Sequence, residues 1–327
     1  FTDLAHRARQ LANVLQALGL RPGSVVGSIA WNNHRHLEAY YAVSGSGMVM
    51  HTCNPRLHPE QLAYIINHAD DEVVLFDTTF APLVRAIAAS CPRVRHWVAL
   101  CDADALAAID TTGLPPVQAY ESLLAPAHGS FEWPQCDEKS GAALCYTSGT
   151  TGNPKGVMYS HRALTLSALS ACMPSILSIS PQETLLPVVP MFHINAWCLP
   201  YAALIGGAKL VLPGPRLDAA SLYELMETER VTVVGGSAMP KALIAKFDDM
   251  FDVDVCHGWG MTETTAIATI SNLGTDEAAL PPDERHTLIA KQGKSVFGIE
   301  LKLVDAQGAT LPRDGASQGE LMVRGQW

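Results

Sequence analysis

Apolar residues recur at three- and four-residue steps from the start of the chain. Leu4, Ala5, Ala8, Leu11, Ala12, Leu15 and Leu18 fall on one helical face, with Gly19 as a C-terminal cap before the Arg21-Pro22-Gly23 turn. Val25 to Ala30 then reads as a short apolar strand, His34 to Val43 as a helix and Met48 to Thr52 as a strand. Pro59 opens a helix from Glu60 to Asn67, Val73 to Phe76 is a strand, and Thr78 or Thr79 caps a helix through Ala89 before a strand from Val94 to Leu100. Residues 102–139, rich in Pro, Ala and Asp, read as an irregular connection. Alternation returns with strands Ala142 to Tyr146 and Val157 to Tyr159 around a loop, and a helix from about Arg162. Strands Leu185 to Val189 and Lys209 to Leu212 follow, then a helix from Leu222 to Glu229. After Asp276 the chain is more polar, with strands at Glu300 to Val304 and Glu320 to Arg324. Strands separated by helices predict parallel sheets covered on both faces.

Composition narrows the class. The chain has 327 residues, 48% hydrophobic and 17% charged, which is ample for a core and too apolar for disorder. Net charge is −10 and the 22 basic residues are scattered, so no basic run exists to displace counterions, and a nucleic-acid partner is excluded. The eight cysteines include no C-x-x-C pair, which fits free thiols and a cytoplasmic setting. Among the twelve histidines, His34 with His36 and His51 with His58 lack partners at metal spacing. No stretch approaches the ~20 apolar residues of a membrane span. Phe1 to Gly19 has an amphipathic pattern unlike a signal peptide, and it starts as though further residues preceded it.

Chemistry concentrates first in Tyr146-Thr147-Ser148-Gly149-Thr150-Thr151-Gly152-Asn153-Pro154-Lys155-Gly156. Three glycines let backbone N–H groups approach an anion, four hydroxyls add donors, and Lys155 adds a point charge for a polyphosphate. The spacing is neither that of a Walker loop nor G-x-G-x-x-G. A second segment, His257-Gly258-Trp259-Gly260-Met261-Thr262-Glu263-Thr264-Thr265, frames an aromatic ring with glycines, leaving a face free to stack on a base. Glu263 is a hard oxygen ligand suited to Mg2+ beside a triphosphate, and Thr262 can donate to a phosphate.

The first segment resembles the phosphate-binding signature of the adenylate-forming (AMP-binding) superfamily, which includes acyl-CoA synthetases, firefly luciferase and peptide-synthetase adenylation domains. The second is similar to that superfamily's second signature, with tryptophan where tyrosine is commoner. Gly235-Gly236-Ser237-Ala238-Met239-Pro240 resembles its adenine-pocket turn. The resemblance implies that Thr147, Ser148, Gly149, Thr150, Thr151, Gly152 and Lys155 hold the ATP phosphates, with Thr147 and Glu263 at the metal. It implies that Gly236, Ser237, Ala238, His257, Gly258, Trp259, Gly260 and Thr262 surround AMP. Pro190-Met191-Phe192-His193-Ile194-Asn195-Ala196-Trp197 carries no carboxylate where amino-acid-activating relatives place an aspartate, which suits an apolar acyl chain. Here, and through Asn54-Pro55-Arg56-Leu57-His58-Pro59-Glu60-Gln61, the chain is most similar to medium- and long-chain fatty-acid–CoA ligases. In those relatives the residue matching Trp197 is a gate, the one matching His193 lines the carboxylate end, and Ile194 lies between them.

The resemblance implies the large N-terminal domain of the acyl-CoA synthetase/luciferase-like α/β fold, with mostly parallel sheets packed with helices plus a partial β-barrel. Residues 1–140 would form a first α/β subdomain lacking its beginning, 141–275 a second, and 276–327 the start of a β-rich part, with the small C-terminal domain absent. It also implies activation of a fatty acid by ATP with Mg2+, then transfer to CoA, with Thr147, Lys155, Thr262, Glu263 and His193 in catalytic roles. A homodimer is an assembly the family allows. An aryl or short-chain acid, or a non-catalytic nucleotide-binding remnant, remain alternatives. Family members also place a strand–helix unit where Glu229-Arg230-Val231-Thr232 runs straight into Val233-Val234-Gly235-Gly236; the unit is either deleted or left out of this sequence.

Overall fold

The computed structural model describes residues 1–327 except 148–151, 236–237 and 252. Helices and strands alternate through the first part: α1 (Thr2–Ala17), β1 (Val25–Ile29), α2 (His34–Gly45), β2 (Val49–Thr52), α3 (Pro59–His68), β3 (Asp71–Phe76), α4 (Ala81–Ile87) and β4 (His96–Ala99). α1 ends as its pattern predicts, with Gly19 left-handed just beyond the cap. α2 starts where Asn33 accepts the His36 amide at 3.0 Å.

Residues 102–139 are not irregular throughout, which corrects the sequence reading. They hold α5 (Ala103–Ala107), β5 (Val117–Ala119) and α6 (Tyr120–Leu124). These elements span three to five residues, too few to repeat a hydrophobic period, so tertiary partners fix them. Glu121 of α6 takes Arg7 of α1 at 2.9 Å and Arg35 of α2 at 2.7 Å, and Tyr120 donates to Glu38 at 2.7 Å. Glu38, nearly fully buried, also takes Arg7 at 2.7 Å, so no charge in this cluster is left unpaired.

β6 (Gly141–Thr147) and β7 (Lys155–Ser160) close a seven-stranded sheet of order β5-β4-β3-β1-β2-β6-β7. Every pair is parallel except β6–β7. The strands flanking the phosphate-loop segment therefore extend the first sheet, across the boundary drawn at residue 140. Alternate residues of β3 feed opposite faces, as the pleat requires. Val73 and Leu75 join a core with Leu11, Leu15, Tyr40 and Met50, whereas Val74 and Phe76 join one with Leu62, Ile65 and Trp97. Each such large side chain, fully buried, contributes roughly 1.5–3 kcal/mol.

After α7 (His161–Ala171) come β8 (Thr184–Pro187), the short turn α8 (Ile194–Trp197), α9 (Leu199–Gly206), β9 (Lys209–Leu210), α10 (Ala219–Glu229), β10 (Val233–Gly235) and α11 (Lys241–Phe251). β10, β8 and β9 form a parallel three-stranded sheet with β10 on its edge. β11 (Gly258–Trp259), β12 (Thr269–Ile270) and β13 (Lys294–Ser295) make a small antiparallel sheet, between whose last strands lie α12 (Thr275–Ala278) and α13 (Pro282–Ile289). β14 (Ile299–Val304) and β15 (Glu320–Gly325) pair antiparallel, both within a residue of their sequence-predicted bounds.

Asn32 clasps the first sheet to the segment after β8. Its buried amide donates to the Pro187 and Val189 carbonyls at 2.9 and 3.0 Å and accepts the Met191 N–H at 2.7 Å. All eight cysteines are free. No helix among the described residues is long and apolar enough to cross a membrane.

Candidate active site

Thr147 and Lys155 are the last register pair of β6 and β7, so the two ends of the phosphate-loop segment stand side by side. Thr147 is half-buried, while Gly152 and Lys155 are exposed. Ser148, Gly149, Thr150 and Thr151 lie outside the described residues, as do Gly236 and Ser237 of the adenine-turn segment.

The 262–265 segment docks directly on these strands. Tyr159 of β7 donates to the Thr262 carbonyl at 2.8 Å, and Ser167 of α7 donates to the Thr265 carbonyl at 2.8 Å. Burial chiefly pushes the Tyr159 phenol up, with the neighbouring Cys145 and Cys198 next and the Glu263 carboxylate adding least. Thr262–Thr264 is a 3-10 turn whose Thr264 hydroxyl ties to Met261 on both sides, by accepting its N–H at 2.8 Å and donating to its carbonyl. Gly260 is sterically obligatory, since a Cβ there would lie 1.4 Å from the Ala266 carbonyl oxygen.

A cavity of about 320 Å³ opens beside this turn, within the size range of small-molecule sites. It brings together the predicted acyl group, His193, Ile194 and Trp197, with the predicted adenine group, Ala238, Gly258, Trp259 and Gly260. The two sets lie at residues 193–197 and 238–260, and β11–β12 pairing with Gly258 against Ile270 joins them to one apolar floor. Ile176, Ile194, Ile267, Ile270 and Val296 form that floor, with Trp197 and Trp259 half-buried on it. A Cβ on Gly258 would sit 3.6 Å from the Trp197 ring, an ordinary van der Waals contact, so Gly258 and that indole are neighbours.

His193 keeps an open face, yet desolvation lowers its pKa and leaves it neutral at pH 7. His257 is buried, and its Nδ1 has no hydrogen-bond partner among the described residues. Its Nε2 accepts the Met239 N–H at 3.0 Å, which puts the ring proton on Nδ1, and its own N–H donates to Ser271 at 2.7 Å. His257 therefore holds the 238–240 turn against β12.

Ala266, Ile267 and Gln292 also line the cavity, and the sequence reading missed all three. The first two directly follow the Thr262–Thr265 segment and carry no chemistry to flag them. The signal at Gln292 is Gly293 beside it, which is left-handed and packed where a Cβ would lie 2.0 Å from the Ile270 carbonyl. Elsewhere, folding gathers His51, Cys53 and Asp71 within 4.8 Å of one another, fully buried. His51 Nδ1 already bonds Asp71 at 2.8 Å, which makes the trio a satisfied core contact.

The cavity wall between His193 and α9 has an unusual backbone. Ile194, Asn195, Ala196, Trp197 and Cys198 all have φ between +48° and +58°, a left-handed run without glycine. Asn195 anchors it, accepting the Cys145 thiol at 3.6 Å and lying 3.2 Å from Tyr40 Oη, whose single proton goes to the Met191 carbonyl.

A profile of the AMP-binding enzyme family matches residues 1–234 and 230–327. The medium-chain-fatty-acid–CoA ligase of Ectopseudomonas oleovorans is 46% identical over 350 residues, covering 98% of this chain and 64% of that protein. The 3-methylmercaptopropionyl-CoA ligase of Ruegeria pomeroyi is 43% identical over 356 residues, covering 100% of this chain and 66% of that protein. A solved anthranilate–CoA ligase in complex with anthranoyl-AMP superposes with a TM-score of 0.84 at 22% identity, over 99% of this chain and 64% of that one, which shows the shared fold. The chain thus spans just under two thirds of these curated relatives. The second alignment runs over 356 positions against 327 residues, so at least 29 of its positions have no counterpart here, and the family match divides at 230–234.

Proposed function

Because the chain belongs to the AMP-binding enzyme family, we propose that the full-length protein activates a fatty acid with ATP and transfers it to CoA. The observation that carries this reading is the single cavity shared by the His193–Trp197 and Ala238–Gly260 groups, apolar and free of carboxylates among its described lining residues. Such a lining rejects an ammonium group on the substrate and accepts an alkyl chain.

In the first half-reaction a carboxylate oxygen bonds the α-phosphorus of ATP while the bridging P–O bond breaks and pyrophosphate leaves. The fatty acid is itself the nucleophile, so the protein contributes positioning and charge neutralisation. Lys155 and the donors at the open end of β6–β7 would hold the phosphates, and Trp259 would stack on the base, worth ~1–3 kcal/mol by analogy with other base–aromatic contacts. Thr147 and the exposed Glu263, hard oxygen donors on adjoining segments, fit Mg2+, which when bound offsets phosphate charge. In the second half-reaction the CoA thiolate attacks the acyl carbon and AMP leaves. Free thiols throughout the chain support a reducing, cytoplasmic setting.

The test is ATP–pyrophosphate exchange by the full-length protein with straight-chain acids of increasing length, aryl acids and 3-(methylthio)propionate. Exchange strongest with unbranched alkyl acids supports the proposal; a preference for an aryl or short-chain acid reassigns the substrate. One observation favours a second reading, a nucleotide-binding remnant, namely the 29 or more alignment positions without counterpart. Exchange with no acid at all selects it.

A further inference from the structure

The described lining of the cavity holds no charged side chain, and apart from the two indoles only His193 and Gln292 offer hydrogen bonds. The main chain at Gln292 is fixed on both sides, and its side chain is exposed. Thr269 of β12 donates its hydroxyl to the Gln292 carbonyl, and the left-handed Gly293 fits against Ile270 only because it has no Cβ. Lys294, two residues on, is paired with Glu277 at 2.6 Å, and that carboxylate also accepts the Gly274 N–H that starts α12, while Lys291, next to Gln292, is exposed. Neither lysine is among the described lining residues, so a neutral amide stands at the cavity wall.

We propose that Gln292 is a substrate-binding residue that receives the carboxylate of the acid, an inference that rests on the ligase reading above. A lysine or arginine at this point would pair with the carboxylate and hold electron density on both oxygens. A neutral amide N–H orients one oxygen and leaves the other free to form the new O–P bond, while the bridging P–O bond breaks and pyrophosphate carries off the electron pair. His193, neutral in its desolvated setting, offers a second uncharged donor without adding net charge.

The experiment compares wild-type full-length protein with Gln292→Glu and Gln292→Asn. Exchange kinetics give KM for octanoate and for ATP, and calorimetry gives octanoate binding without ATP. A carboxylate facing a carboxylate is expected to raise the octanoate KM about tenfold or more in Q292E, a change of ~1.4 kcal/mol or above, with the ATP KM within about twofold. Q292N, a shortened donor, is expected to fall between. An unchanged octanoate KM in Q292E, or an effect on ATP alone, overturns the inference. Wild-type octanoate binding that Q292E loses, with no exchange by wild type for any acid, keeps the carboxylate assignment and sinks the ligase reading. No calorimetric binding of octanoate by wild type overturns the assignment itself.

Discussion

Single residues in this site are constrained by what a few atoms would strike. Gly260 cannot carry a side chain without driving a Cβ into the Ala266 carbonyl, whereas Gly308, which is left-handed, has open space around its Cα. Gly260→Ala is expected to cost more than about 3 kcal/mol in chemical denaturation, and Gly308→Ala only the ~1 kcal/mol of a left-handed alanine. Equal losses would show that the 260–266 contact relaxes freely. His36 makes a second residue-level case. Buried completely, it donates from Nδ1 to the Trp31 carbonyl (3.0 Å) and its Nε2 meets the Ser28 hydroxyl (2.9 Å), and desolvation lowers its pKa to about 4. Between pH 4 and 6.5 the unfolded chain binds the proton that the folded ring refuses, so this stability is complete above 6.5 and is lost as pH falls. The loss is about 2 kcal/mol from pH 7 to pH 5. Asp77, raised to about 6 chiefly by burial, acts in the opposite sense over the same range, so the readout is the difference between wild type and His36→Gln. No difference in their pH slopes would refute the assignment.

At the scale of elements, legibility followed period length. Six of the seven patterned apolar positions lie within α1 and the seventh, Leu18, caps it, so the pattern located the helix to within two residues. Three-residue β5 and five-residue α6 escaped because Glu121 and Tyr120 are fixed by Arg7, Arg35 and Glu38 far off in sequence. The left-handed run at α8 was illegible for a different reason: Ile194 to Cys198 contains no glycine, and only the Asn195 and Tyr40 contacts reveal what holds it. A test of that backbone is Ala196→Gly beside Ala168→Gly in the right-handed α7. The first relieves a left-handed Cβ and is expected to leave the melting temperature unchanged or raised. The second is expected to cost about 1 kcal/mol, the usual helix penalty. Equal destabilisation by the two would argue against a left-handed wall.

Across the whole molecule, the mostly parallel sheet was readable from alternation alone, but its reach was not. The antiparallel β6–β7 pair, which carries the phosphate-loop segment, attaches to β2 rather than founding a new sheet. The two signature segments could be named from sequence, whereas the meeting of the second with His193–Trp197 around one cavity depends on β11–β12 pairing and on the Asn32 clasp, neither of which has a sequence pattern. Asn32→Ala would strand the Met191 N–H and two carbonyls inside the protein. An expected loss of about 3 kcal/mol follows, with the Met191 amide exchanging its hydrogen faster. Protection of that amide equal to wild type would show that the clasp is dispensable.

β10 ends its sheet with one side of its backbone unpaired among the described residues, and Val234 on it is 46% exposed. Parallel sheets ordinarily shield such rims, and an unshielded one is a template for any extended chain of suitable length. In concentrated solution, copies of this polypeptide should therefore zip rim to rim. Val234→Lys, by placing like charges at that junction, is expected to suppress concentration-dependent light scattering while leaving the melting temperature in place.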